Sequence, residues 1–290
     1  MTNAVKKDDK YSRAGLIAYR CVVYFALILI SILCLFFFYM LFVNATRAHA
    51  DIQKGFSPLP GTRFLNNWNT LMNNSELPIF RGMFNSLLIS TLCALLATYF
   101  SALTAYAIHA YDFKLKNFVF KFILLVMTVP AQVSALGFIN LVRNMNLLNT
   151  FYPLFLPSIA APTVFFFMKQ YMDSVLPMEI IEAARIDGSN EFSTFNRVIL
   201  PIVKPAIAVQ AIFTFVTAWN NYFTPALILS KKEMKTLPIL IAQLRNADWL
   251  KFDMGQVYMA IALAILPIMV VYLLLSRFIV GGVTLGSVKG

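Results

Sequence analysis

Charge is scarce in this chain. Of 290 residues only 13% are Asp, Glu, Lys or Arg, while 59% are hydrophobic. Soluble globular proteins carry roughly a quarter charged residues, and the mean hydropathy here is +0.71. The shortage excludes an ordinary water-soluble enzyme, and the apolar excess excludes a disordered chain. Cysteine is nearly absent, at 3 residues, which excludes a disulfide scaffold. The 2 histidines, His49 and His109, stand alone without His-Glu-x2-His spacing, so no metal site is expected. None of the 11 glycines precedes a lysine, so the chain has no phosphate loop of the form Gly-x4-Gly-Lys-Ser/Thr. No Gly-x-Ser-x-Gly or other nucleophile arrangement occurs either.

What is present is a set of long uncharged runs: 21–46, 82–111, 122–142, 144–168, 205–230 and 254–276. Each exceeds the ~20 residues with which a helix crosses about 30 Å of hydrocarbon. The runs are far too long for barrel strands, so they predict an all-α membrane protein of six spans. The expected spans are about 21–43, 84–108, 119–142, 152–170, 206–229 and 257–280, between an N-terminal segment 1–20 and a tail 281–290. The net charge of +11 would suit a nucleic-acid partner, but the charges sit in the loops rather than on one folded surface, which argues for lipid instead.

The N-terminus imitates a cleaved leader, with Lys6, Lys7, Lys10, Arg13 and Arg20 before an apolar run and Ala48-His49-Ala50 after it. The run from 21 to 43 is longer than the roughly 7–15 residues of a leader core, so it reads as a retained span. Cys21, Cys34 and Cys93 all fall inside spans and are expected as buried packing residues. With the N-terminus inside, 14 Lys and Arg fall on the cytoplasmic side and 10 outside. That bias puts both termini and segment 171–205 in the cytoplasm, and loops 44–81 and 231–253 outside.

The spans contain none of the 13 carboxylates. An ionisable group within a bilayer costs about 2.5–3.5 kcal/mol and therefore tends to mark ion coupling or a counter-charge. Its absence disfavours a proton-coupled transporter, although carbonyls and hydroxyls alone can hold sodium. With no ATP site of its own, a bundle moving solute uphill needs energy delivered by another subunit.

Segment 177–201 offers a way to receive it. Pro177 suits a first helical turn, Ala183 and Ala184 are strong helix formers, and Gly188 can take the left-handed conformation that ends a helix. Ser189 or Asn190 can cap a second helix from Glu191 to Leu200, stopping at Pro201. Small Ala183 and Ala184 admit a close partner, and Glu182, Arg185, Asp187 and Glu191 give it a polar rim. An ordinary solvated hairpin is the alternative.

Those residues carry a resemblance. Glu182-Ala183-Ala184-x3-Gly188, followed after nine intervening residues by Val198-Ile199-Leu200-Pro201, resembles the Glu-Ala-Ala loop of ABC importer permeases. The family pattern is Glu-Ala-Ala-x3-Gly-x9-Ile-x-Leu-Pro, with Val198 here replacing Ile. Over essentially its whole length the chain is similar to the smaller permease subunit of maltose-type carbohydrate importers. Phe215-x3-Trp219-Asn220-x-Tyr222 with Pro225, and the tail from Gly282 to Gly290, carry that further likeness.

The resemblance implies a type I ABC importer permease of the bacterial inner membrane. It implies a second homologous permease, two ATP-binding subunits that bind the ATP, and an extracellular solute-binding protein. No cofactor is implied for this chain itself. Glu182, Ala183, Ala184, Arg185, Asp187 and Gly188 become the expected ATPase-coupling residues. Carbohydrate as substrate rests on this resemblance alone; a peptide or polyamine importer, or an ion-coupled secondary transporter, are the other readings.

The spans add detail. Ser86, Ser90, Ala94, Thr98 and Ala102 recur every four residues, with Ala97, Ser101 and Ala105 alongside, as expected of a helix-packing stripe. Pro130, Pro153, Pro157 and Pro162 are expected to bend spans three and four, shaping a cavity or merely kinking helices. Span five carries Thr214, Thr217, Trp219, Asn220, Asn221, Tyr222 and Thr224. Amides and hydroxyls suit sugar OH groups and aromatic faces suit sugar C–H faces, so Thr217, Trp219, Asn220, Asn221 and Tyr222 are candidates for a translocation path. The competing reading is that the amides only tie helices together. Outside, Asn66-Asn67-Trp68-Asn69 suits a compact cap, and loop 231–253, with Gln243 and Trp249, is long enough to reach a docked protein or to be a solvated linker.

Overall fold

Apolar runs rich in Leu, Ala, Ile and Phe, without strand-length alternation, fold here as helices joined by short turns. The computed structural model describes residues 13–247 and 252–286. Lys6, Lys7, Lys10 and Trp249, named above, lie outside the described residues, as does the last part of the tail.

The principal helices are α1 (Arg13–Ala45), α2 (Phe64–Met72), α3 (Ile79–Ala110), α4 (Lys116–Met127), α5 (Ala131–Asn144) and α6 (Pro162–Val175). They continue with α7 (Met178–Ile186), α8 (Glu191–Ile202), α9 (Lys204–Trp219), α10 (Phe223–Ile228), α11 (Leu237–Arg245) and α12 (Met254–Gly286). Among the described residues three continuous helices are long and apolar enough to cross a bilayer, or five spans if two bent pairs count as one each.

α3 is the centre. Its small face (Ser86, Ser90, Ala94, Ala97, Thr98, Ser101, Ala102 and Ala105) is buried, and α6 and α9 pack against it. α12 closes the far side of α9 and also meets α1, α2 and α11. Two main apolar clusters result. Tyr106, Met168, Met172, Ile181, Phe195 and Ile199 fill the end carrying α7; Leu71, Phe215, Trp219, Leu240 and Leu263 fill the other.

The prolines break helices rather than gently bending them. Pro130 separates α4 from α5, which meet at 100°. Pro153 and Pro157 sit in short helical turns, Tyr152–Phe155 and Leu156–Ile159, and Pro162 begins α6. The run expected as one span over 152–170 is therefore three pieces, and that over 206–229 is interrupted between Trp219 and Phe223.

Two expectations need correction. The helix after Gly188 does not stop at Pro201: it widens into a π turn over Thr194–Ile199, passes the proline and ends at Ile202, where an 80° bend leads into α9. Pro201 brings no N–H and crowds the carbonyl four residues back, and the wide turn gives its ring room. Cys21 and Cys34 are not buried; only Cys93 is. They lie on α1, which exposes apolar side chains over most of its length, a surface suited to lipid rather than water.

At the α2 end, chain crossings are tied by polar side chains. Asn67 Nδ2 donates to the carbonyls of Ala45 (2.9 Å) and Arg47 (3.0 Å), and buried Arg47 donates to Asn44 Oδ1 (3.1 Å) and to the Gly55 carbonyl (3.2 Å). Segment 230–247 is no free linker. Asn149 Oδ1 accepts from the amides of Ser230 and Lys231, Asn85 Nδ2 donates to the carbonyls of Glu233 and Lys235, and Ser86 Oγ accepts from Leu237. α11 then buries Leu237 and Leu240.

Gly255, opening α12, has no room for a side chain: a Cβ would sit 2.7 Å from Asn67 Nδ2 and 2.8 Å from the Arg47 carbonyl oxygen. Gly255→Ala is expected to destabilise the protein by about 1–3 kcal/mol, the usual cost of overpacking. Gly137→Ala, at an open position in α5, is expected to be neutral or mildly stabilising. Thermal unfolding in detergent checks both, and parental stability in the Gly255 variant refutes the close packing.

Candidate functional site

α9 ends where its polar residues gather. The helix stops at Trp219, Asn220 caps it, and α10 resumes at Phe223 with the Thr224 amide donating to Asn221 Oδ1 at 3.3 Å. Because successive helical residues are turned by about 100°, the five span-five candidates divide between two faces. Thr217 and Asn221 open onto one cavity system; Trp219, Asn220 and Tyr222 lie on the other side.

The first system has two lobes of about 390 and 600 Å³, which share Leu154, Thr217, Asn221 and Thr224. Ser158, Thr163, Gln210 and Thr214 line one lobe, and Gln132 and Ser134 the other, beside Pro153 and Pro157. Among the described residues, no Asp, Glu, Lys, Arg or His reaches the wall of either lobe. The space lies where the chain before α6 is broken into short turns, which contribute Pro153, Leu154, Pro157 and Ser158 to its walls.

On the opposite face, Trp219 is packed, not open. It is 2% exposed, stacked on Phe215 at 5.8 Å, and its indole N–H donates to the Ala264 carbonyl at 3.2 Å. Asn220 and Tyr222 border a separate hollow of about 490 Å³ against α11 and α12, near Arg245 and Asn246.

Gln210, Ser158 and Thr163 were not among the sequence candidates. Gln210, Thr214, Thr217, Asn221 and Thr224 recur at intervals of four, three, four and three residues. That polar stripe at helical period is the signal that would have found Gln210 and set Trp219 aside.

The second group lies beyond the other end of α3. α7 ends in a full Schellman turn: Gly188 has φ +77°, its amide donates to the Arg185 carbonyl, and the Ser189 amide to that of Ala184, both at 3.0 Å. Asn190 then caps α8 by accepting from the Ser193 amide at 2.8 Å. Ile181 and Ala184 face the interior, while Glu182, Ala183, Asp187 and Gly188 are exposed. Ile186, 85% exposed, and Phe192, 69% exposed, flank the turn with bare apolar surface.

Of the expected polar rim, Arg185 and Glu191 are tied to each other at 2.8 Å, and Tyr106 donates to the second Glu191 oxygen at 2.7 Å. The Arg185 guanidinium lies over the Tyr111 ring, 5.3 Å from its centre. Burial alone would raise the Glu191 carboxyl, but hydrogen bonds from Tyr106, Tyr111 and Arg185 and the guanidinium charge outweigh it and hold it below the usual carboxylate range. Close by, His109 is not isolated: Nδ1 meets Asp173 at 2.9 Å and Nε2 meets the Leu176 carbonyl at 3.0 Å. Burial would raise Asp173, yet Lys169 and His109 hold it below its ordinary value.

Comparison with known proteins fits this arrangement. Residues 97–284 match the family described as binding-protein-dependent transport system inner membrane component. The chain is 31% identical over 278 residues to the arabinooligosaccharides transport system permease protein AraQ of Bacillus subtilis (strain 168), covering 94% of this chain and 96% of that protein. It is 32% identical over 261 residues to the sn-glycerol-3-phosphate transport system permease protein UgpE of Yersinia pestis, covering 88% and 92% respectively. A solved bacterial ABC transporter that imports the acidic polysaccharide alginate has a chain of the same fold, with TM-score 0.77, 20% identity and coverage of 92% of this chain and 98% of that one. The chain thus belongs to the binding-protein-dependent transport system inner membrane components, and is a permease of an ABC importer.

Proposed function

We propose that this permease carries a neutral carbohydrate, an oligosaccharide, through the two-lobed cavity along α9. The observation that carries the reading is the chemistry of that wall: amides and hydroxyls at Gln132, Ser158, Gln210, Thr214, Thr217, Asn221 and Thr224, with no charged side chain among the described residues. A phosphate or a polyamine would lose its hydration here without an ion of opposite sign to replace it. A sugar exchanges water for the same hydrogen bonds it made in water. The arabinooligosaccharide relative supports the same class.

In this reading the chain crosses the membrane six times with both termini in the cytoplasm, and the pieces at 152–170 form the fourth crossing. A second homologous permease stands beside it, two ATPase subunits below and a solute-binding protein outside. α7 is the coupling helix. Closure of the ATPases on ATP moves it, the bundle opens outward to take sugar from the binding protein, and hydrolysis returns it inward. Glu182 orients docking through a basic group of the ATPase, Asp187 adds to the rim, and the small exposed face at Ala183 admits close contact. Ala184 seats the helix on the bundle, and Gly188 supplies the turn.

Transport by the complete complex in proteoliposomes tests this. ATP and loaded binding protein should drive uptake of a labelled neutral oligosaccharide. Uptake by this chain alone on a sodium or proton gradient would refute the reading.

Asn221→Leu and Thr217→Val are expected to lower uptake and substrate-stimulated ATP hydrolysis by about tenfold, since an unmet polar partner costs about 1–3 kcal/mol. Asn220→Leu, facing the other hollow, should matter less. Equal behaviour of Asn220→Leu and Asn221→Leu would remove the path from this face.

Glu182→Lys reverses the docking charge, and Gly188→Pro forces a φ near −65° where the turn needs +77°. Both variants should insert normally yet lose nearly all ATP-driven uptake. Parental uptake rates in both would exclude α7 as the coupling element.

A further inference from the structure

The Gly188 turn raises a mechanical problem. A glycine at φ +77° with open space around it is the softest point between α7 and α8, so a force on α7 alone would bend the turn. One side chain spans it. Glu191, at the start of α8, takes Arg185 of α7 on Oε1 at 2.8 Å and the hydroxyl of Tyr106 of α3 on Oε2 at 2.7 Å. Tyr106 is itself fixed, 2% exposed with its ring 5.6 Å from Phe195 in the π turn. Arg185 is braced from outside by the Tyr111 ring just beyond the end of α3. A single carboxylate thus joins three helices, with both oxygens used.

We propose that Glu191 is the positioning residue of the α7 turn: with Tyr106 and Arg185 it fixes α7 to the end of α3, so that displacement of α7 moves the bundle instead of bending at Gly188. This rests on the reading of α7 as the coupling helix. α3 is the helix against which α6 and α9 pack, so a rigid link to it reaches the cavity walls directly. Arg185 and Glu191 act inward, leaving Glu182 and Asp187 as the outward charges.

The test uses the complete transporter in proteoliposomes, reading ATP hydrolysis and solute uptake on the same preparation. Tyr106→Phe removes one hydroxyl, and Glu191→Gln keeps the shape while removing the charge. Both are expected to assemble and to hydrolyse ATP near the parental rate, while solute imported per ATP falls several-fold. Glu191→Asp, which keeps the charge but is too short to hold both partners, should show an intermediate loss. Unchanged import per ATP in Tyr106→Phe and Glu191→Gln overturns the proposal. Failure of both to assemble also overturns it, because the network is then a folding element. A parallel Glu182→Lys preparation separates the two readings: if it transports normally, the coupling role of α7 has failed, whereas if it alone uncouples, only the strut has failed.

Discussion

Lipid tails are as apolar as the side chains they surround, so helices in a bilayer associate where their backbones can come close. In this protein that place is one face of α3, where serines, Thr98 and alanines from Ser86 to Ala105 are buried and α6, α9 and α11 pack. The other principal features follow from that contact. The chain before α6 runs in short turns containing Pro153 and Pro157 and starts afresh at Pro162, and a cavity lies between these pieces and α9. α12 then covers the outer side of α9, with Trp219 wedged between them through its bond to Ala264. Larger side chains on the α3 face would separate all three layers at once.

The two ends of α3 do different work with the same economy of charge. At one end the amides of Asn67 and Asn85 and the buried guanidinium of Arg47 fasten turns by bonding backbone carbonyls, with the exposed pairs Lys54–Asp51 and Lys232–Glu76 nearby. At the other, ion pairs link separate segments: Arg185 with Glu191, and Asp173 with His109 and Lys169. Between the ends, hydroxyls and amides are the polar groups in the cavity wall.

Much of this was legible in the sequence because it depends on composition and short spacings. The uncharged runs located the helices, the four-residue repeat of small residues located the α3 face, and Gly188 marked a helix end that does adopt positive φ. What escaped depends on direction. Trp219 and Asn221 are neighbours in a polar patch, and only the phase of α9 puts one in the core and the other on the cavity. Pro201 reads as a stop, yet a π turn three-dimensionally absorbs it. Arg185 and Glu191 read as a solvent rim because nothing local announces Tyr106, 85 residues earlier, as the partner of the carboxylate. Cys21 and Cys34 were expected inside because a span was equated with burial, whereas α1 turns most of its surface away from the rest of the chain.

The uncharged cavity has an electrical meaning as well as a chemical one. Moving one elementary charge across a potential of 100 mV involves about 2.3 kcal/mol. Among the described residues, the walls of this cavity carry no charged side chain on which that field can act. A rearrangement of these walls alone moves no charged side chain through the field, so they contribute no gating charge of their own.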